Sequence, residues 1–214
     1  MSKIVTRLYD SFEQAENAVR DLELAGIPES DISLVSHRFA SRGVKGAPAS
    51  LREPEDMTAA QASGRDAAAV GSLGGILGAT GGALAGLGLL AIPGIGPVVA
   101  AGWLASAAAG AVAGGVIGAG AGGIVGALSN AGVSREEAEF YAESVRRGGT
   151  LVSAKVPDDM VETAQHVLAD SGSVDPYERR RLYEGSGWSR FDEDAPAYSE
   201  ADIVAERDRW MLRH

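Results

Sequence analysis

The sequence predicts an α+β fold: a ferredoxin-like split β-α-β domain interrupted by a long glycine-zipper α-helical hairpin. Three observations predict it. β-α units stand on either side of the chain's middle, a block without charge separates them, and glycines recur every four residues inside that block. Of the 214 residues, 29 are acidic and 19 basic, yet none of these charges lies between Ala67 and Ser134. The chain thus joins a charged part able to fold in water to an insert rich in glycine and alanine.

The charged part is read in order. Lys3 to Tyr9 alternates as a strand does, and Asp10 followed by Glu13 has the form of a capping box. Phe12, Ala15, Val19 and Leu22 then form one apolar helix face, Gly26 ends it, and Ile32 to Ser36 is a second strand. Residues 1–36 are the first half of the domain, and residues 37–66, mixing Gly, Pro, Ser and charge, are a linker. Residues 134–177 supply the rest. Ser134 and Glu137 cap a helix through Ala138, Tyr141 and Val145, then Gly148-Gly149 release a strand from Thr150 to Val156. A helix with Val161, Ala164 and Leu168 on one face follows, and a weak fourth strand is expected over Val174 to Tyr177.

Within residues 67–133, Gly74, Gly78, Gly82 and Gly86 form one run, and Gly110, Gly114, Gly118, Gly122 and Gly126 a second. A period of four aligns them on one helix stripe, where missing side chains let two backbones approach closely. In water such helices are poor, since each glycine costs nearly 1 kcal/mol relative to alanine. Pro93, Gly94, Gly96 and Pro97 mark a turn between two antiparallel helices, about Ala67 to Ala91 and Val98 to Ala131. Each is long enough for a bilayer. Trp103 then sits as an anchor at the far membrane interface, with Arg38, Arg42, Lys45, Arg52, Arg65, Arg135, Arg146 and Arg147 on the near side. A soluble hairpin that self-associates is the competing reading, because leucine, isoleucine and valine are sparse for a surface facing lipid. Homo-oligomerisation through the glycine stripes is common to both.

Chemistry is largely excluded. The absence of cysteine removes disulfides, thiol nucleophiles and thiolate metal sites. The acidic balance argues against nucleic acid as a partner. Gly118 to Gly123 matches GxGxxG but lies inside a helical repeat with no preceding strand. His37, His166 and His214 stand apart and read as surface or boundary residues, and Asp192-Glu193-Asp194 as a solvated turn. No catalytic residue, metal ligand or cofactor follows from these patterns. The tail, residues 178–214, carries Trp188, Phe191 and Trp210, with Ser199 and Asp202 capping a helix; packing back on the protein outweighs docking to a separate protein partner or to lipid headgroups.

Three segments together carry a family resemblance: Leu24-Ala25-Gly26-Ile27-Pro28 with Asp31-Ile32-Ser33, the turn from Gly88 through Ile92-Pro93-Gly94-Ile95-Gly96-Pro97, and Arg146-Arg147-Gly148-Gly149-Thr150-Leu151-Val152. Over roughly residues 3–172 the chain resembles the bacterial general stress and low-temperature-induced protein family. The resemblance implies a glycine-zipper hairpin inserted in a small α/β domain, a part in stress response and association with a membrane. It carries over no catalytic residues. The resulting expectation is a non-enzymatic protein at the inner (cytoplasmic) membrane with both termini cytoplasmic. Beside it stand a soluble cytoplasmic assembly and a regulatory domain holding a small ligand on an open sheet face. The opening residues lack the apolar run of a signal peptide, which fits a cytoplasmic start.

Overall fold

The computed structural model describes residues 2–40, 88–113 and 123–211. Residues 41–66 of the linker, residues 67–87 of the first predicted glycine helix, and Gly114, Gly118 and Gly122 lie outside the described residues, and with them Gly74, Gly78, Gly82 and Gly86. Five strands form one antiparallel sheet: β1 (Ser2–Tyr9), β2 (Ile32–His37), β3 (Gly88–Ile92), β4 (Gly96–Gly102) and β5 (Thr150–Pro157), in the order β1-β5-β2-β4-β3. Seven helices accompany it among the described residues: α1 (Phe12–Leu24), α2 (Trp103–Ala113), α3 (Gly123–Asn130), α4 (Arg135–Arg146), α5 (Val161–Asp170), α6 (Pro176–Gly185) and α7 (Glu200–Met211).

β5 sits between β1 and β2 and is antiparallel to both, so β1 and β2 run parallel and α1 crosses over between them. Strand pleating then sorts the side chains. Val5, Leu34, Val152 and Ala154 pack under α1 and α5 with Phe12, Val19, Leu22 and Leu168. Leu8, Val35 and Leu151 face the other way, beneath Leu104, Ile124, Leu128, Phe140 and Tyr141. The sheet face expected to lie open for a small ligand is therefore covered. Two directly opposed hydroxyl pairs, Thr6–Ser153 at 2.8 Å and Ser36–Thr150 at 2.9 Å, satisfy one another inside the buried sheet.

Local departures have identifiable causes. Ser11, not Asp10, caps α1, its hydroxyl accepting from the Gln14 N–H at 3.1 Å. That leaves the Asp10 carboxylate free to receive Arg179 at 2.8 and 3.0 Å. The expected fourth strand does not form. Val174 makes a single ladder-like bond, its N–H donating to the Leu8 carbonyl at 2.7 Å. Asp175 then accepts from the Tyr177 and Glu178 N–H groups at 2.8 and 3.1 Å, with Pro176 in the first turn of α6. An Asp-Pro pair starts a helix readily and denies a strand one of its donors.

The larger departure is in the apolar block, where residues 88–102 are a β-hairpin and not the ends of two helices. Ile95 closes the turn by donating to the Ile92 carbonyl at 3.1 Å. All six residues of β2 are buried, so its second edge needs a strand partner, and β4 with Val98 and Val99 supplies it. The second predicted helix resolves into β4, α2 and α3, with α2 and α3 packed against each other. No described helix is long and apolar enough to cross a membrane.

Gly102 ends β4 at φ +79°, directly on the β2 backbone. A Cβ there would collide with the Ile32 carbonyl oxygen and lie 2.9 Å from the Ser33 Cα. Gly102→Ala is accordingly expected to lose about 2–4 kcal/mol, from left-handed strain plus overpacking. A fall in the urea midpoint at unchanged m-value is the check.

Candidate functional site

The described parts of the apolar block converge on one end of the sheet, and the C-terminal segment lies over them. Of the predicted turn residues, Pro93 and Gly94 lie in a turn, but one between strands, and Gly96 and Pro97 open β4. Gly94 and Gly96 adopt φ of +72° and +96°, the left-handed region glycine enters freely. They also admit the tail. A Cβ at Gly94 would lie 2.8 Å from the Asp192 carbonyl oxygen, and one at Gly96 2.7 Å from the Ala197 Cβ. Of the predicted stripe glycines, Gly110 falls in α2 and Gly126 in α3. Trp103 opens α2, half-buried and packed against the core beside the sheet. Gly123, at φ +69°, starts α3 against the Ile92 side chain and interrupts the continuous helix expected through it.

The second wall of this region is the junction from α4 to β5. Arg147 is 6% exposed, and its Nε donates to Glu143 Oε1 at 2.6 Å while Nη1 donates to Glu206 Oε1 at 2.7 Å. Arg146 donates to Glu143 Oε2 at 3.1 Å and Arg209 lies 2.5 Å from Glu206 Oε2. Burial works against the Arg147 charge, but its hydrogen bonds to Glu143 and Glu206 outweigh it and raise the pKa above the usual guanidinium value. The guanidinium also stacks 4.3 Å over the Tyr183 ring. Tyr183, fully enclosed, has its hydroxyl pushed up to about 12 by burial. Arg146 and Arg147 are thus spent on internal pairs and do not form part of a free basic surface.

A second guanidinium anchors the tail from the other side. Arg179, bonded to Asp10, lies 3.9 Å over the Trp210 ring. Trp210 is buried in the core that Trp188 and Phe191 flank, so the tail aromatics pack back on the protein as their spacing suggested. A cavity of about 180 Å³ remains between α6 and α7, lined by Leu182, Tyr183, Ser186, Glu206 and Trp210 among others.

His37 departs from expectation. The surface or boundary position read from its isolation is wrong: the side chain is 0% exposed, held where β2 passes under the hairpin turn. Its Nδ1 accepts from the Phe39 N–H at 3.4 Å, which assigns the proton to Nε2, facing the Ile95 carbonyl. Burial lowers its pKa to about 4, against the upward pull of that carbonyl and with a smaller lowering from Arg38. His166 is exposed on α5 and His214 lies outside the described residues. Asp192 accepts from the Asp194 N–H at 3.0 Å in an acidic turn, as expected. Among the described residues no group of three or more histidine, aspartate or glutamate side chains gathers into a metal-binding set.

The ionic seat for the tail is not legible along the chain because its partners are separated by 59 residues, Arg147 to Glu206, and neither carries a local motif. Comparison with protein-family models, with curated proteins and with solved structures finds no match to this chain.

Proposed function

We propose that this chain is a non-enzymatic, self-assembling protein of the stress-response type, in which the uncharged block carries association between copies and the charged α/β domain carries the block. The observation that carries this reading is the attachment of the block. Ile95, Val98, Leu104, Ile124 and Leu128, all from its uncharged stretch, share one core with Leu8, Val35 and Leu151 of the domain sheet. The block is therefore tied to the domain on both sides of residues 114–122. Gly110 and Gly126 lie on two helices that pack together, consistent with small residues serving close helix contact. The ferredoxin-like pattern remains the finer fold reading, supported by the β1-α1-β2 crossover around β5 and by α1 and α5 on one face. Nucleic acid does not fit the acidic charge, and no cofactor is invoked.

A second reading keeps the same block at the cytoplasmic face of the inner membrane. It is favoured by the 68 consecutive residues without charge, Ala67 to Ser134. The test is the mass of the full chain by sizing chromatography with light scattering, beside the Gly114→Leu/Gly118→Leu variant. An oligomer in the wild type that falls to smaller species in the variant supports assembly through the stripe; equal masses refute it. Fractionation without detergent, with carbonate and high-salt washes, separates the two readings: a chain that stays with membranes through both washes is integral, and one recovered in the supernatant is a soluble assembly.

A further inference from the structure

We infer that the C-terminal segment Gly187–Met211 is a strap that pins the β3–β4 hairpin to the domain and holds back self-association of the chain. This rests on the assembly reading above and adds its control. From Trp188 to Ser199 the strap has no regular secondary structure. It is fixed instead by a few anchors at its two sides. On the hairpin side the backbone of Asp192 and Glu193 lies against Gly94, and Ala197 against Gly96. On the other side Arg146 donates to the Pro196 carbonyl at 3.3 Å and stacks 5.0 Å over Tyr198. Ile203 fills the space a side chain at Gly148 would need, and Glu206 closes the ion pair with Arg147.

What the strap covers is apolar. Ile95, between the two glycines that the strap touches, is 0% exposed, and Tyr183, whose ring meets that of Trp188 at 6.1 Å, is 1% exposed. Lifting the strap would uncover the hairpin turn and the core below it, an apolar surface of the kind that drives association. The strap itself carries Asp192, Glu193 and Asp194, so while docked it lays acidic charge over an otherwise uncharged turn. Copies with docked straps repel one another there. The anchors are backbone packing at two glycines, the Arg147–Glu206 ion pair and the buried Ile203 and Trp210, not a strand ladder, so the segment can leave without breaking a hydrogen bond of the sheet.

The experiment uses the full chain, whose lack of cysteine allows a clean disulfide. Glu206→Arg sets a cation against Arg147 and releases the strap. Gly148→Cys/Ile203→Cys locks it, since a Cβ at residue 148 lies 3.6 Å from that of Ile203, within the usual span of a disulfide, and the left-handed strain of a side chain at residue 148, φ +95°, is common to the oxidised and reduced chains. Trypsin cleavage after Arg207 and Arg209 reports release, and light scattering reports mass. Glu206→Arg should raise cleavage about tenfold or more and shift the chain to larger species. The same variant carrying the oxidised lock should keep the wild-type mass, and reductant should restore growth. Faster cleavage with unchanged mass overturns the strap.

If Glu206→Arg does not fold, the lock alone decides in mild urea: the oxidised chain must keep its starting mass where the reduced chain grows, and equal behaviour overturns the proposal. Gly114→Leu/Gly118→Leu in the released chain separates the two ideas. Loss of growth supports both. Growth that ignores the glycine pair overturns the stripe as the assembling element while the strap stands on the hairpin alone.

Discussion

Arg147→Leu is expected to cost about 3–5 kcal/mol of folding stability, the usual penalty for removing one partner of a buried ion pair. Arg147 holds two carboxylates at once, Glu143 at 2.6 Å and Glu206 at 2.7 Å, and both are almost completely buried. Without it they face each other's charge with only Arg146 and Arg209 at their outer oxygens. Arg147→Lys should recover part of the loss, because an ammonium restores the charge but not the fork that reaches both carboxylates. Replacing Arg147, Glu143 and Glu206 together with leucine or methionine of similar volume should cost far less than Arg147→Leu alone. Urea unfolding of the three variants measures this. A triple variant as unstable as the single one would mean that shape, and not uncompensated charge, sets the penalty.

Acid should destabilise the protein through His37, and the effect is of comparable size. The folded side chain titrates near 4 because it is buried, against an ordinary value of 6.5 in the unfolded chain. Between those values the unfolded state binds a proton that the folded state refuses. Stability therefore falls as the pH drops below about 6.5 and this contribution is fully lost below about 4, a change of about 3 kcal/mol. The hairpin turn is where the strain arises, since Ile95 and Gly96 enclose the ring. Urea midpoints from pH 7 to pH 4.5 should decline more steeply for the wild type than for His37→Gln, which carries no titrating ring. Parallel declines would show that His37 is solvated when folded. Carboxylate titration contributes to both proteins and cancels in the comparison.

Much of the architecture was legible along the chain, for reasons that are local. β1 and β5 follow from alternation, β2 from its place after Gly26 as the second strand of a β-α-β unit, α1 and α5 from apolar faces at spacings of three and four, and α4 from the Ser134 cap. Ser199 and Asp202 cap α7 reciprocally, at 2.9 and 3.3 Å, as their spacing suggested. The β3–β4 hairpin was misread because Gly, Ala and Leu suit a small-residue helix and a buried strand alike. One sign was available: the first glycine run ends at Gly86, and the second starts at Gly110, so residues 88–102 lie outside both repeats. The candidate site was legible only as separate pieces, Gly94, Gly96, Arg146, Arg147 and the tail aromatics.

By itself the sequence determined which segments are charged, where helices begin to within a residue, and that the chain turns at Pro93 and Gly94, because each depends on neighbours within a few residues. Only the tertiary structure decided that the turn joins strands, since β4 forms where β2 has an open edge to satisfy. It likewise decided that His37 is buried and that Glu206 meets Arg147. These are properties of surfaces brought together by folding, and the free energy of a buried charge or an unpaired strand edge depends on what covers it rather than on what precedes it in the chain.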